Sequence, residues 1–147
     1  MCIRDRSEPG VGKLLELGAE VDGTDEAGNT ALHFVAARGV LSMIVMMQEH
    51  GANVDAANNC GSTPFHKACN NGQLTAVQKL AELGANIDAQ DKEGQTGLHL
   101  AGRGGFKLIV EWLMGRDQKP DITLKTKAGK TAADMAEADP AISSLIQ

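Results

Sequence analysis

The chain has 147 residues, 42% of them hydrophobic and 3% aromatic, with a formal net charge of −5. That is apolar material for one domain and too little length for two, and no run nears the ~18 consecutive apolar residues of a membrane helix, so membrane insertion is not expected. The acidic balance and the lack of Tyr argue against a nucleic-acid protein, because phosphates call for a basic footprint and bases for aromatic platforms.

In chain order, residues 1–6 (MCIRDR) match neither an apolar signal core nor a helix start. They read as the translated end of a sequencing-library adaptor and are set aside from fold reasoning. Residues 7–22 read as a partial repeat. GKLLELGAEVD at 12–22 supplies one apolar helical stretch and a turn with no helix before it. Leu14, Leu15 and Leu17 should therefore lie bare at that end, which is expected to fray or self-associate, the chain being otherwise a monomer.

From there the sequence repeats. GNTALHFVAARG at 28–39, GSTPFHKACNNG at 61–72 and GQTGLHLAGRGG at 94–105 align without gaps, which puts His33, His66 and His99 at intervals of 33 residues. LGAEVD at 17–22, HGANVD at 50–55 and LGANID at 83–88 recur in the same phase. A weaker fourth copy, GKTAADMAEA, starts at Gly129, two residues late, and an insertion within GRDQKPDI at 115–122 accounts for the delay. The units are thus 23–55, 56–88, 89–122 with its two-residue insertion, and a capping repeat at 123–147.

Within a unit, Thr30, Thr63, Thr96 or Thr131 precedes an apolar-periodic run, where its hydroxyl caps the free amides of a helix start. Pro64 falls at a first helical position, where its missing N–H costs nothing. Gly39, Gly72 and Gly105 stop the first helix. A second helix is predicted from apolar residues at helical spacing: Leu41, Ile44 and Val45; Leu74, Val77 and Leu80; Ile109, Trp112 and Leu113. Gly51 and Gly84 end two of these. Links such as NVDAANNCG and NIDAQDKEG are polar and turn-rich, so they read as extended turns or hairpins. In the last unit, 131–138 forms a first helix and Pro140 opens a second.

With these motifs the chain resembles the ankyrin-repeat family, whose unit pairs a β-turn with two antiparallel helices around a T-P-L-H-x-A motif at this period. The resemblance covers roughly residues 11–147. It implies an all-α repeat solenoid with β-turn fingers, and a function in binding other proteins rather than catalysis. It also implies that each repeat histidine is structural, bonding Thr hydroxyls and backbone near its helix start. Repeats stack about 10 Å apart, whereas two ligands of one zinc each lie about 2 Å from it, so the three imidazoles are not expected to share a metal. His50, at a helix end, is read the same way.

Other candidates for chemistry fare no better. Gly102, Gly104 and Gly105 lie between two helices rather than after a strand, so they are not a phosphate loop. HExxH, GxSxG, CxxC and P-loop patterns are absent from the sequence. No catalytic residue, cofactor or metal is expected. Cys2, Cys60 and Cys69 form an odd, sparse set that fits a reducing compartment, the cytoplasm or cell interior. Phe34 and Leu100 could anchor a ligand, although packing between repeats is the better expectation.

The family resemblance further implies that the partner is gripped by the turn tips and the exposed side of the first helices, on a concave surface where the repeats differ. The differing positions are Glu26, Ala27, Asn29 and Arg38; Asn59, Cys60, Ser62, Asn70 and Asn71; Lys92, Glu93, Gln95 and Arg103; and Lys127, Ala128 and Lys130. Charge is uneven among the tips. Glu20, Asp22, Asp25 and Glu26 open the array, and Arg116, Lys119, Lys125, Lys127 and Lys130 close it against Asp117 and Asp121, which reads either as a polarised binding surface or as charge that serves solubility. The function expected is an adaptor, scaffold or inhibitor. The alternative is an ankyrin segment of a larger enzyme, channel or effector.

Overall fold

The computed structural model describes residues 23–116, 120–137 and 139–146. The expectations placed on the adaptor-like start, the half repeat with its three leucines, Cys2, Glu20, Asp22, Asp117 and Lys119 lie outside these residues.

Each repeat begins where a threonine in extended backbone turns the chain into a helix. Thr30 opens α1 (Ala31–Arg38), Thr63 opens α3 (Pro64–Asn70), Thr96 opens α5 (Gly97–Gly104) and Thr131 opens α7 (Ala132–Met135). Pro64 sits at the first helical position as its fixed φ allows. The Thr63, Thr96 and Thr131 hydroxyls each accept the backbone N–H three residues on, at 3.3 Å. In the last repeat α7 ends at its Ala136 cap, whereas in the first three repeats the first helix is stopped by a glycine-containing turn. Gly72 ends one of them at φ +71°, and a side chain there would also strike the Phe106 ring, 2.6 Å from where its Cβ would lie. The return helices follow at once: α2 (Leu41–Glu49), α4 (Leu74–Glu82), α6 (Lys107–Met114) and α8 (Pro140–Leu145). The described residues contain no strand.

None of these helices reaches the ~12–15 residues that a helix needs to persist alone in water. They persist by stacking in two rows, α1–α3–α5–α7 and α2–α4–α6–α8, with each first helix also packed on its own second helix. Leu32, Phe65 and Leu98 fill the junctions of the first row. Ile44, Met47, Val77, Leu80, Ile109 and Leu113 fill the second, and Ile142 and Ile146 close the last unit. Burying one such side chain contributes about 1.5–3 kcal/mol, so stability is distributed along the array rather than gathered at a centre.

The first helices pack on one another more extensively than the second helices do. Small residues permit this: Ala36, Ala68 and Ala101 are fully buried, and a Cβ at Gly97 would lie 2.5 Å from the Phe65 ring and 2.8 Å from the Cys69 sulfur. Rows with unequal spacing bend toward the tighter one, so the first-helix side is the inner face.

The apolar spacing of the second helices is only partly spent on the core. Ile44, Val77, Leu80, Ile109 and Leu113 are buried, but Val45, Leu74 and Trp112 are half-buried and Leu41 is 43% exposed. Leu41 is the first residue of α2, and the buried stripe of that helix runs through Met43, Ile44 and Met47 instead.

Candidate protein-binding face

Between repeats the chain makes a finger of fixed design. Asp25 Oδ1 accepts the N–H groups of Ala27 and Asn29, each at 2.9 Å. Asn58 Oδ1 does the same for Cys60 and Ser62, at 2.9 and 3.0 Å. Asp91 Oδ1 does it for Glu93 and Gln95, each at 2.9 Å. A short carboxylate or amide that bonds the backbone two and four residues ahead folds the chain sharply without regular structure. Desolvation opposes charge on Asp25, but the N–H groups it accepts outweigh that and hold its carboxyl below the ordinary range. The glycine two residues past each tip completes the turn; Gly94, at φ +78°, also lies so close to the next finger that a Cβ would approach the Lys125 carbonyl to 3.0 Å.

The fingers are stitched side by side. Asn59 N–H donates to the Ala27 carbonyl at 2.9 Å, Lys92 N–H to Cys60 at 3.0 Å and Lys127 N–H to Glu93 at 2.9 Å. Backbone makes these three links, and at the second tip the Asn59 side chain adds to them, its Nδ2 donating to the Glu26 carbonyl at 2.9 Å. The result is a row of tips beside the inner helices.

The repeat histidines join finger to helix. Nδ1 of His33 accepts the Thr30 N–H at 2.9 Å, and its Nε2 donates to the Ser62 carbonyl of the following finger at 2.9 Å. His66 bonds Thr63 and the Gln95 carbonyl, at 3.1 and 2.8 Å. His99 bonds Thr96 and the Lys130 carbonyl, both at 3.1 Å. A carbonyl facing Nε2 assigns the proton to that nitrogen, and the lone pair to Nδ1. Burial holds all three imidazoles below their ordinary pKa. With both nitrogens occupied the rings are structural. Among the described residues no group of His, Cys, Asp and Glu is placed to share a metal ion. The expected bonds to threonine are present. The reach of Nε2 into the next repeat is an addition that the 33-residue spacing left unstated.

At the first tip Glu26 and Ala27 are exposed, and Arg38 is exposed at the end of α1. At the second, Asn59 and Cys60 are exposed, as are Asn70 and Asn71 at the end of α3. Lys92 and Glu93 stand exposed on the third tip, Arg103 on α5, and Lys127, Ala128 and Lys130 on the fourth tip. Arg103 donates to Asn70 Oδ1 at 3.3 Å, linking two repeats across the inner face. Asn29, Ser62 and Gln95 differ: they are half-buried. Asn29 Oδ1 accepts from Asn58 Nδ2 at 2.8 Å, and the Ser62 and Gln95 carbonyls hold histidines. Those three are braces between fingers before they are surface. Leu100 is buried and Phe34 half-buried, so Leu100 serves the core. Arg116 lies at the end of α6 with its guanidinium 4.9 Å from the Trp112 ring centre, on the second-helix side rather than at a tip. Cys60 and Cys69 are free thiols, and burial pushes the Cys69 thiol well up.

This architecture defines a repeat solenoid whose stacked helix pairs present a ridge of turns. A family model described as ankyrin repeats, in three copies, matches residues 1–91, more than half of the 147. The chain belongs to the ankyrin-repeat family. Ankyrin repeats are in general protein–protein interaction modules and typically non-catalytic. No match is found among curated proteins. No helix among the described residues is long and apolar enough to cross a membrane.

Proposed function

We propose that the chain is a protein-binding module that acts as an adaptor, scaffold or inhibitor and holds its partner on the row of fingertips and the adjoining face of the first helices. The observation that carries this reading is a division of labour within each finger. Backbone, turn-forming side chains and histidines carry most of the architecture, while exposed positions in one register differ from repeat to repeat: Glu26, Asn59, Lys92 and Lys127. A surface that is rigid in backbone and variable in side chain is suited to selecting one polypeptide among many. We further propose that it works as a monomer in a reducing compartment, which the free thiols of Cys60 and Cys69 support.

The test is a crosslinking capture from the source cells with three forms of the protein. Wild type should retain a discrete partner; Asn59→Arg combined with Arg38→Glu on the tip and inner face should lose it; Lys79→Glu on the second-helix side should keep it. Loss with the second-helix variant and retention with the tip variant would place the contact on the other face.

A further inference from the structure

The fourth finger departs from the design of the other three. Where they carry Asp25, Asn58 and Asp91, it carries Thr126, whose hydroxyl makes one bond at 3.3 Å, to the Lys130 N–H, in place of two near 2.9 Å. The turn thus survives on a weaker support, and a carboxylate that would sit among lysines is absent. At the remaining positions Lys125 and Lys130 replace the neutral residues of earlier tips while Lys127 repeats the cation of Lys92, and all three are exposed. Their carbonyls and amides are engaged: Lys125 and Lys130 accept from Gln90 and His99, and Lys127 donates to Glu93. None of the three ammonium groups forms an ion pair within the described residues. Lys92, one finger back, is exposed and likewise without an ion-pair partner.

Opposing charge is limited. Asp134 lies in the field of Lys125 and Lys130, but its Oδ2 is held by the Thr131 N–H at 2.9 Å. Glu93 stands exposed on the neighbouring tip. Residues 125–131 therefore carry three cations and no anion. The equivalent residues of the first finger, 24–30, carry Asp25 and Glu26 and no cation. The polarity expected along the array is a step located at one finger, not a smooth gradient.

We propose that this fourth tip, with Lys125, Lys127 and Lys130 beside Lys92, is the docking point for an acidic, Asp- or Glu-rich polypeptide segment of the partner. The proposal rests on the protein-binding reading above and makes it specific. A polypeptide is favoured over nucleic acid because the chain as a whole is acidic, at −5, and would repel a long polyanion that strays beyond the one basic finger. A short acidic segment can lie within it.

The test is fluorescence anisotropy with a labelled oligoglutamate peptide at low salt, against an oligoglutamine peptide of equal length. Wild type should bind the first and not the second, and binding should weaken as salt shortens the ~10 Å screening length of 0.1 M solution. Lys125→Glu, Lys127→Glu and Lys130→Glu together should weaken it at least about tenfold, the sum of several modest exposed pairs. A control, Lys79→Glu with Lys107→Glu on the second helices, shifts net charge in the same direction and should change little; thermal melts verify that both variants fold. Undiminished binding by the triple variant, equal weakening by the control, or no binding by wild type overturns the proposal. So does equal affinity for a single-stranded oligonucleotide or for phosphatidylserine vesicles, which would make the tip a general anion site. If the triple variant still captures the cellular partner as wild type does, this proposal fails while the protein-binding reading stands.

Discussion

His66 bonds in two directions, back to the Thr63 amide that starts its own helix and forward to the Gln95 carbonyl of the next finger. Truncation leaves the buried Thr63 N–H unpaired and takes from the Gln95 carbonyl one of its two donors, the other being the Asp91 N–H at 3.0 Å. His66→Ala is therefore expected to destabilise the fold by about 1–3 kcal/mol, the cost of an orphaned buried partner. The fourth repeat offers the natural comparison. Asp134 stands where the histidine would be and accepts the Thr131 N–H, at an exposed site. A carboxylate can do the local half of the task, but it has no N–H to send onward. Asp134→Ala should cost much less than His66→Ala in parallel urea titrations. Equal losses would mean that the forward bond contributes nothing.

At the scale of helices, the junction of α3 and α5 shows what the sequence discloses and what it hides. The helix starts were legible because their signals are local: a threonine, three residues, a histidine, and proline at Pro64. The inner face of α5 was not. In the T-P-L-H register Phe65 is larger than Leu32 or Leu98, and Gly97 is smaller than Ala31 or Pro64. The two compensate across a repeat boundary, since a Cβ on Gly97 would lie 2.5 Å from the ring of the buried Phe65. Helix propensity alone favours alanine over glycine by about 1 kcal/mol, but overpacking costs about 1–3 kcal/mol. Gly97→Ala should therefore destabilise, and Phe65→Leu in the same chain should recover part of the loss, a coupling of about 1 kcal/mol for residues in contact. Additive effects in a double-mutant cycle would separate the two residues. The same blindness to non-local pairing explains Asn29, Ser62 and Gln95. They vary between repeats as surface does, yet their partners lie a whole repeat away. Exposed tips such as Lys92 were legible because, among the described residues, no hydrogen bond or ion pair ties their side chains to another finger. Asn59, equally exposed, also donates its Nδ2 to the Glu26 carbonyl of the finger before it at 2.9 Å.

Among the described residues, each of the three successive junctions carries one imidazole of the same kind, so acid acts on these interfaces together. Burial lowers the folded-state pKa of His33, His66 and His99, against about 6.5 for an imidazole in the unfolded chain. Between the folded and unfolded values the unfolded state binds more protons, and stability rises with pH wherever that holds. The contribution is thus complete above about 6.5 and is lost as pH falls below it. Geometry agrees in sign: a proton on Nδ1 would face the N–H of Thr30, Thr63 or Thr96, which that nitrogen now accepts. Asp25, Asp121 and Asp134 are also held low, so their contributions disappear in the same direction at more acid pH. The urea midpoint should therefore fall from pH 7.5 to pH 5, before the carboxylates titrate near their usual ~3.9. His66→Gln should show a shallower fall, having one fewer buried imidazole to protonate. Because coupling in a solenoid runs only between neighbours, amide exchange at pH 5 should accelerate first at the finger amides that cross junctions, Asn59, Lys92 and Lys127. A midpoint that is flat across this range, or that rises on acidification, would show that the imidazoles are not held neutral at the junctions.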